Sequence, residues 1–166
     1  AQIPNPKTLL SIESVTAGYG KGPDILQDVS ILVEKGRTVA VVGESGSGKS
    51  TLARVVTGLL PARFGGIHFR GEPLPDKLNH REKQQLQKVQ MISQLPDIAL
   101  NPRQRVRDII SRPLSFYLGL KGKEKEQRIN ELLQQIELPQ SYIDRLPSEL
   151  SGGEKQRICI ARALAA

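Results

Sequence analysis

Residues 43–50 read Gly-Glu-Ser-Gly-Ser-Gly-Lys-Ser and match the pattern G-x-x-x-x-G-K-[ST]. A short β-branched run at residues 38–42 precedes this stretch. A helix is expected to begin at Lys49 or Ser50, to run to about Thr57 and to stop at Gly58. In such a strand–loop–helix unit the loop N–H groups point inward around an anion, and the helix adds the positive end of its dipole. The stretch therefore predicts a phosphate-binding loop.

Four residues of this loop are expected to carry its chemistry. Gly46 and Gly48 let the backbone approach a phosphate and take conformations that other residues avoid. Lys49 is expected to reach the β- and γ-phosphates, and the Ser50 hydroxyl to bind Mg²⁺. A glycine-rich turn that matches by chance is the alternative, but the predicted strand and helix on either side argue against it.

The sequence around the loop predicts an α/β chain. Before residue 95 the predicted elements are strands at 9–17, 25–33, 38–42, 65–71 and 89–94 and helices at 49–57 and 76–88. The hydrophobic alternation of the first strand slips once. The runs at 38–42 and 89–94 are predicted to be parallel strands buried on both faces.

Residues 103–145 predict an all-helical insertion into this α/β chain. Apolar residues at 129, 132, 133 and 136 follow the i, i+3, i+4, i+7 spacing of an amphipathic helix. Pro113 is expected to kink or restart the preceding helix.

A second motif occupies residues 150–154, which read Leu-Ser-Gly-Gly-Glu. Ser151 and Glu154 form a capping box that predicts a helix start. Gly152 and Gly153 each cost up to about 1 kcal/mol in a helix, yet they expose bare N–H groups at its N-terminus, which suit an anion. From these residues alone, capping and anion binding are both open. The apolar stretch at 158–166 predicts burial on several sides.

Composition narrows the class of protein. The 166 residues include 24 Lys and Arg against 17 Asp and Glu, a net charge of +7, which suggests acidic partners such as nucleotides, nucleic acid or anionic lipid. Aromatic residues make up 4% and lack the clusters that stack nucleic-acid bases. No run approaches the roughly 18 apolar residues of a membrane span. The single cysteine, Cys159, excludes an internal disulfide framework, favours a reducing compartment and is expected in the core.

The two motifs and their separation resemble the ATP-binding-cassette (ABC) ATPases over almost the whole chain. Residues 43–50 match the family's Walker A loop, and residues 150–154 match its signature motif. Tyr19 lies where the family has an aromatic residue that stacks on adenine. Gln94 lies at the family's Q-loop glutamine, which contacts Mg²⁺ and the attacking water.

Within that family, residues 43–50 together with Leu-Asn-Pro-Arg at 100–103 are similar to the bacterial peptide and nickel importers. Residues 95–99 depart from that branch, which typically has Asp-Pro-Tyr after the glutamine. The family's Walker B aspartate and its neighbouring glutamate, the D-loop and the switch histidine are not found before Ala166. The resemblance therefore implies a cassette that is incomplete at its C-terminus.

The resemblance implies a P-loop ATPase core of the ABC type, with an antiparallel β subdomain and an inserted helical subdomain. The expected division is a β and Walker A part at 1–94, a helical subdomain at 95–150 and a signature helix returning to the core at 151–166. Lys49 and Gln94 are the expected catalytic residues, and Ser50 and Gln94 the expected Mg²⁺ ligands. The expected ATP-binding residues are Tyr19, Gly43, Glu44, Ser45, Gly46, Ser47, Gly48, Lys49, Ser50, Thr51, Ser151, Gly152 and Gly153.

By resemblance, the intact protein would be the ATPase subunit of an ABC transporter at the cytoplasmic side of the bacterial inner membrane. It would bind MgATP between two cassettes and work with transmembrane permease subunits to import a peptide-like or metal substrate. The 166 residues alone are expected to bind nucleotide at most weakly and to hydrolyse a trace at most, because Glu44, Glu149 and Glu154 are not suited to act as the base.

Two other classes share part of this pattern. A soluble ABC-type ATPase acting on DNA or ribosomes would suit the +7 charge, but the long coiled-coil insertion typical of that class is not seen, and nucleic acid is not an expected partner. An unrelated P-loop kinase or GTPase would leave residues 150–154 unexplained.

Overall fold

A computed structural model describes residues 5–166. The chain divides into two compact units, Ala1–Leu86 and Gln87–Ala166. Residues 1–4 of the predicted first domain lie outside the described residues. The three-part division at residues 94 and 150 stays a prediction, although the boundary between the two units falls after Leu86.

The first unit contains one antiparallel sheet of four strands in the order β2-β1-β3-β4. The strands are β1 (Thr8–Ala17), β2 (Leu26–Glu34), β3 (Phe64–Phe69) and β4 (Glu72–Leu74). The predicted slip in the alternation of β1 is a register irregularity that begins after Ile12, and Ser14 takes a φ of 46° there. This irregularity allows Ile12 and Val15, three residues apart, both to be buried.

Helix α1 (Lys49–Thr57) packs against β1 in the same unit. Its predicted end is confirmed, because Gly58 takes a left-handed φ of 81° and donates its N–H to the carbonyls of the last turn. The buried Arg81 guanidinium donates to the Val56 carbonyl at 2.7 Å and to the Pro75 carbonyl at 3.0 Å. Burial lowers the pKa of Arg81, and the charge of Asp76 opposes that shift. A 3-10 turn (Leu78–His80) and α2 (Lys83–Lys88) take the place of the single helix predicted at 76–88.

The two predicted buried strands at residues 38–42 and 89–94 are wrong. Neither stretch is in a strand, and Val42 is 88% exposed while Met91 and Ile92 are 44% and 45% exposed. A parallel strand buried on both faces needs strands hydrogen-bonded on either side. In residues 5–166 the only sheet is the antiparallel one, and it does not include these two stretches.

The second unit is helical, which confirms the prediction for residues 103–145. Its elements are α3 (Pro96–Ala99), α4 (Val106–Leu118), α5 (Gly122–Gln135), α6 (Gly152–Leu164) and 3-10 turns at Gln140–Asp144 and Pro147–Glu149. The sequence predicts a kink or a restart at Pro113: helix α4 runs through Pro113, so it does not restart there, and the kink stays a prediction. The proline itself and its neighbours Ile109, Ile110 and Leu114 are buried, and their packing compensates for the lost backbone hydrogen bond.

Helix α6 packs against α3, α4 and α5. Ile158, Cys159 and Ala161 are buried, which confirms Cys159 as a core residue. Leu164 is 51% exposed, so the predicted burial of the last stretch on several sides holds only in part. Within residues 157–166 the exposed residues are Arg157 and Leu164, which lie seven residues apart on one stripe of the helix.

Candidate functional site

The loop before α1 contains glycines in backbone conformations that the predicted phosphate-binding loop calls for. Gly46 and Gly48 have φ values of 82° and 99°, in the left-handed region that favours glycine. A Cβ at Gly43 would lie 2.6 Å from the Ser47 hydroxyl oxygen. The Ser47 N–H donates to the Glu44 carbonyl at 3.1 Å, which closes a tight turn. Residues 43–47 are exposed.

Helix α1 begins at this loop with its positive end uncompensated. The N-cap residue, Gly48, offers no side-chain oxygen, and within the described residues the first turn of α1 holds no acidic side chain. The first N–H groups of a helix have no partner inside the helix, and the aligned peptide dipoles favour negative charge there. This end of α1 is therefore suited to an anion.

The Lys49 side chain folds back over the loop. Its Nζ donates to the Gly43 carbonyl and, at 3.1 Å, to the Glu44 carbonyl. Lys49 is half-buried at the first position of α1. The ammonium thus lies against loop carbonyls, and phosphate oxygens are stronger acceptors for it than carbonyls are. Together with the loop glycines and the helix end, this arrangement fits a phosphate group.

Ser50 and Thr51 follow Lys49 and differ in exposure. The Ser50 residue is exposed, whereas Thr51 is 5% exposed. A hydroxyl is an oxygen ligand of the kind that Mg²⁺ accepts beside phosphate oxygens and water, so Ser50 fits the role predicted for it. In residues 5–166, no three His, Cys, Asp or Glu side chains cluster so as to hold a metal ion.

Tyr19 lies beside α1. Its hydroxyl oxygen is 3.2 Å from the Thr51 hydroxyl oxygen and accepts a hydrogen bond from Arg54 at 2.8 Å. The hydrogen bond with Thr51, aided by that with Arg54, lowers the pKa of Tyr19, and desolvation opposes the shift. The structure therefore brings Tyr19 to the helix that carries Lys49 and Ser50. Sequence reasoning missed Arg54, for which the three-residue spacing from Thr51 was the only signal.

Gln94 belongs to the second unit and precedes α3. It is exposed and lies in a bend, not at the end of a buried strand as predicted. The neighbouring Ser93 hydroxyl accepts a hydrogen bond from the Leu95 N–H at 3.2 Å. The role of Gln94 in binding Mg²⁺ and water stays a prediction.

The signature stretch forms the predicted capping box at the start of α6. The Ser151 hydroxyl accepts from the Glu154 N–H at 3.2 Å, and the Glu154 carboxylate accepts from the Ser151 N–H at 2.9 Å. This backbone bond, then the side chain of Tyr142 and the charge of Arg145, lower the pKa of Glu154. The capping interpretation is confirmed. Gly152 is exposed, as is its neighbour at 153, and anion binding by their N–H groups stays a prediction.

Two contacts tie α3 to α6 within the second unit. Lys155 Nζ lies 2.5 Å from the Asp97 carboxylate, and Arg162 donates to the Ala99 carbonyl at 2.8 Å. The segment that follows Gln94 is thereby attached to the helix that begins at the signature stretch. Across the described part of the chain, no helix is both long enough and apolar enough to cross a membrane.

The family model described as ABC transporter matches residues 26–166. The chain therefore belongs to the ABC transporter family, and the predicted resemblance is confirmed. The predicted fold class is confirmed as well, as a partial domain with an antiparallel sheet and helices. The match also includes both motifs from which the resemblance was inferred.

Among curated relatives, the nickel import ATP-binding protein NikE of Escherichia coli (strain K12) is 41% identical over 167 residues, which cover 95% of this chain and 62% of that protein. The same-named protein of Brucella suis biovar 1 (strain 1330) is 48% identical over 141 residues, covering 85% of this chain and 53% of the relative. The chain thus spans 62% or less of the length of these two relatives.

Solved structures agree on the fold. An ATP-binding subunit of an ABC transporter superposes with a TM-score of 0.79 at 28% identity, covering 95% of this chain and 62% of that one. A dimeric ATP-binding cassette in a post-hydrolysis state bound to ADP and Pi also gives a TM-score of 0.79, at 26% identity, covering 95% and 69% of the two chains.

Proposed function

We propose that this chain is the nucleotide-binding part of an ABC transporter ATPase subunit and binds MgATP through residues 43–51. The observation that carries the proposal is the loop at the start of α1. Left-handed Gly46 and Gly48, an uncompensated helix end and the Lys49 ammonium converge there. All three favour a phosphate chain over other ligands.

The residues of this site have separate roles in the proposal. The loop N–H groups and Lys49 neutralise phosphate charge. The hydroxyl of Ser50 would hold Mg²⁺, which when bound supplies further charge neutralisation at the phosphates. Tyr19 stacks on adenine through its exposed ring. Ser151 and the two glycines after it contact the nucleotide of a second cassette.

The three carboxylates near the motifs are not proposed as catalytic bases. The Glu149 carboxylate accepts from the Leu146 N–H at 2.6 Å, and Glu154 accepts from the Ser151 N–H at 2.9 Å. Both are therefore used in capping helical turns. Glu44 lies in the exposed loop, where its carbonyl accepts from Lys49. We expect the 166 residues to hydrolyse at most a trace of ATP.

The proposal for the intact protein is ATP-driven import together with transmembrane permease subunits and a second cassette, peripheral to the cytoplasmic face of the bacterial inner membrane. The nickel import names of the relatives favour a metal cargo over a peptide-like one. A soluble ABC-type ATPase acting on DNA or ribosomes is the alternative. Salt-dependent binding to duplex DNA, stronger than binding to nucleotide, would favour that alternative.

The experiment is equilibrium binding of a fluorescent ATP analogue with Mg²⁺ to the 166-residue chain and two variants. Lys49→Ala removes a charge-assisted hydrogen bond donor and should weaken binding by about 10- to 100-fold. Lys35→Ala, in the exposed turn after β2, removes the same charge elsewhere and should leave binding unchanged. Equal affinities for Lys49→Ala and the unmodified chain would contradict the proposal.

A further inference from the structure

Tyr19 is joined to α1 by two side-chain contacts. Tyr19 lies in the turn after β1, and its hydroxyl meets two residues of α1 that are one helical turn apart. Thr51 is 3.2 Å away, and Arg54 donates to the hydroxyl at 2.8 Å with its Cζ 5.8 Å from the ring centroid. One phenol is thus held by two side chains of one helix.

The backbone of this turn is held by a different residue. Arg63 donates to the Gly20 carbonyl at 2.9 Å and to the Asp24 carboxylate at 2.6 Å. Tyr19 is 44% exposed, so close packing on all sides does not select its rotamer. The orientation of the ring therefore depends on the partners of its hydroxyl.

Arg54 is the hydrogen-bond partner that can fix the orientation of the Tyr19 ring. Its planar guanidinium donates along fixed directions, whereas a hydroxyl such as that of Thr51 rotates. Arg54 is also anchored on α1, the helix whose first residue is Lys49. A bond from this helix to the ring fixes the ring relative to the phosphate-binding loop.

We propose that Arg54 is a positioning residue for the nucleotide base, which it affects only through Tyr19. The inference rests on the proposed function, because Tyr19 must meet the base for its orientation to matter. Arg54 holds the phenol so that the exposed ring face forms a stacking platform at a fixed place from the loop. Removing Arg54 leaves the phosphate site intact and leaves the phenol hydroxyl with only the rotatable hydroxyl of Thr51 as a partner on α1.

The test compares two ligands and a double-mutant cycle. Calorimetry measures binding of MgATP and of magnesium tripolyphosphate, which has phosphates but no base, to the unmodified chain, Arg54→Met, Tyr19→Phe and the double variant. Loss of one hydrogen bond should weaken MgATP binding by about three- to tenfold in each single variant. Tripolyphosphate binding should stay within about twofold of that of the unmodified chain.

The cycle gives the result that a merely structural role would not. Because Arg54 acts through the phenol hydroxyl, Arg54→Met should add nothing to the loss already caused by Tyr19→Phe. Lys21→Met, which removes a positive charge from the same exposed turn as Tyr19, is the matched control and should not change either affinity. Circular dichroism verifies that each variant is folded. If Arg54→Met does not fold, Arg54→Lys, which keeps the charge, replaces it and should show a smaller loss of affinity that is again selective for MgATP.

Three results would overturn the inference. If Arg54→Met weakens the binding of both ligands equally, Arg54 acts at the phosphate site or stabilises the fold. If the losses of affinity add in the double variant, Arg54 does not act through Tyr19. An unchanged MgATP affinity would remove its role altogether. These results differ from failure of the proposed function, in which the unmodified chain binds neither ligand and both proposals fall.

Discussion

Gly65 in β3 faces the irregularity of β1, and replacing it with alanine should destabilise the first unit strongly. The φ of Gly65 is 79°, and the φ of Ser14 opposite it is 46°. A Cβ on Gly65 would lie 2.3 Å from the Ser14 carbonyl oxygen and 2.4 Å from that of Glu13. Both obstacles are backbone atoms of a paired strand, so they cannot rotate away as a side chain can.

Two costs add in Gly65→Ala. A left-handed conformation costs alanine about 1–2 kcal/mol, and forcing extra volume into a packed site typically costs about 1–3 kcal/mol. The free energy of unfolding should therefore fall by about 2–5 kcal/mol. At about 2–4 °C per kcal/mol for a chain of this size, the melting temperature should fall by about 4–20 °C.

The measurement is urea and thermal unfolding followed by circular dichroism, with the neighbouring glycine as the control. At Gly66 an added Cβ has no heavy atom of the described residues within 4 Å. Gly66→Ala should therefore change the free energy of unfolding by no more than about 0.5 kcal/mol. If Gly65→Ala and Gly66→Ala unfold at the same urea concentration, the close approach of β3 to β1 is refuted.

Two further predictions concern titratable groups of α6. The Ser151 N–H lowers the pKa of Glu154 below its ordinary value of 4.5, so the carboxylate stabilises the fold above that pH and the contribution is lost as the pH falls through the lowered pKa. Glu154→Gln should therefore melt below the unmodified chain at neutral pH and approach it as the pH falls through the lowered pKa of Glu154. A pH-independent difference in melting temperature would contradict this. Burial raises the pKa of the Cys159 thiol. An aromatic disulfide reagent should therefore modify this thiol at least about tenfold more slowly in the native chain than in urea. Equal rates of modification would exclude burial.

The limits of α1 could be predicted closely because both ends depend on local chemistry. Gly48 and Gly58 take φ values of 99° and 81°, conformations that favour glycine whatever packs around them. The sequence therefore marks where the helix begins and where it ends. The loop at residues 43–48 shares this property, since its pattern specifies backbone conformations as well as side chains.

The stretches at 38–42 and 89–94 could not be predicted in the same way. Their β-branched and apolar residues show that they are suited to burial, but a strand also needs hydrogen-bonding neighbours. Whether such neighbouring strands are present depends on other parts of the chain and cannot be inferred from the stretch itself. The pattern correctly indicates residues that favour burial, but it does not show whether neighbouring strands are there to bury them. Val42, which is 88% exposed, is the clearest example.

Arg54 shows the same limit within the site. Lys49 follows from a motif and Tyr19 from a resemblance, yet the contact between Arg54 and Tyr19 joins residues 35 positions apart. Residues three apart on a helix share a face, so Thr51 and Arg54 can contact a common neighbour, but only the fold identifies that neighbour. Because that neighbour is Tyr19, the single helix α1 is connected both to the aromatic ring and to the loop at residues 43–48 that precedes the helix. A substitution that moves α1 should consequently displace the ring and the loop together, whereas one that acts on Arg54 alone should displace only the ring.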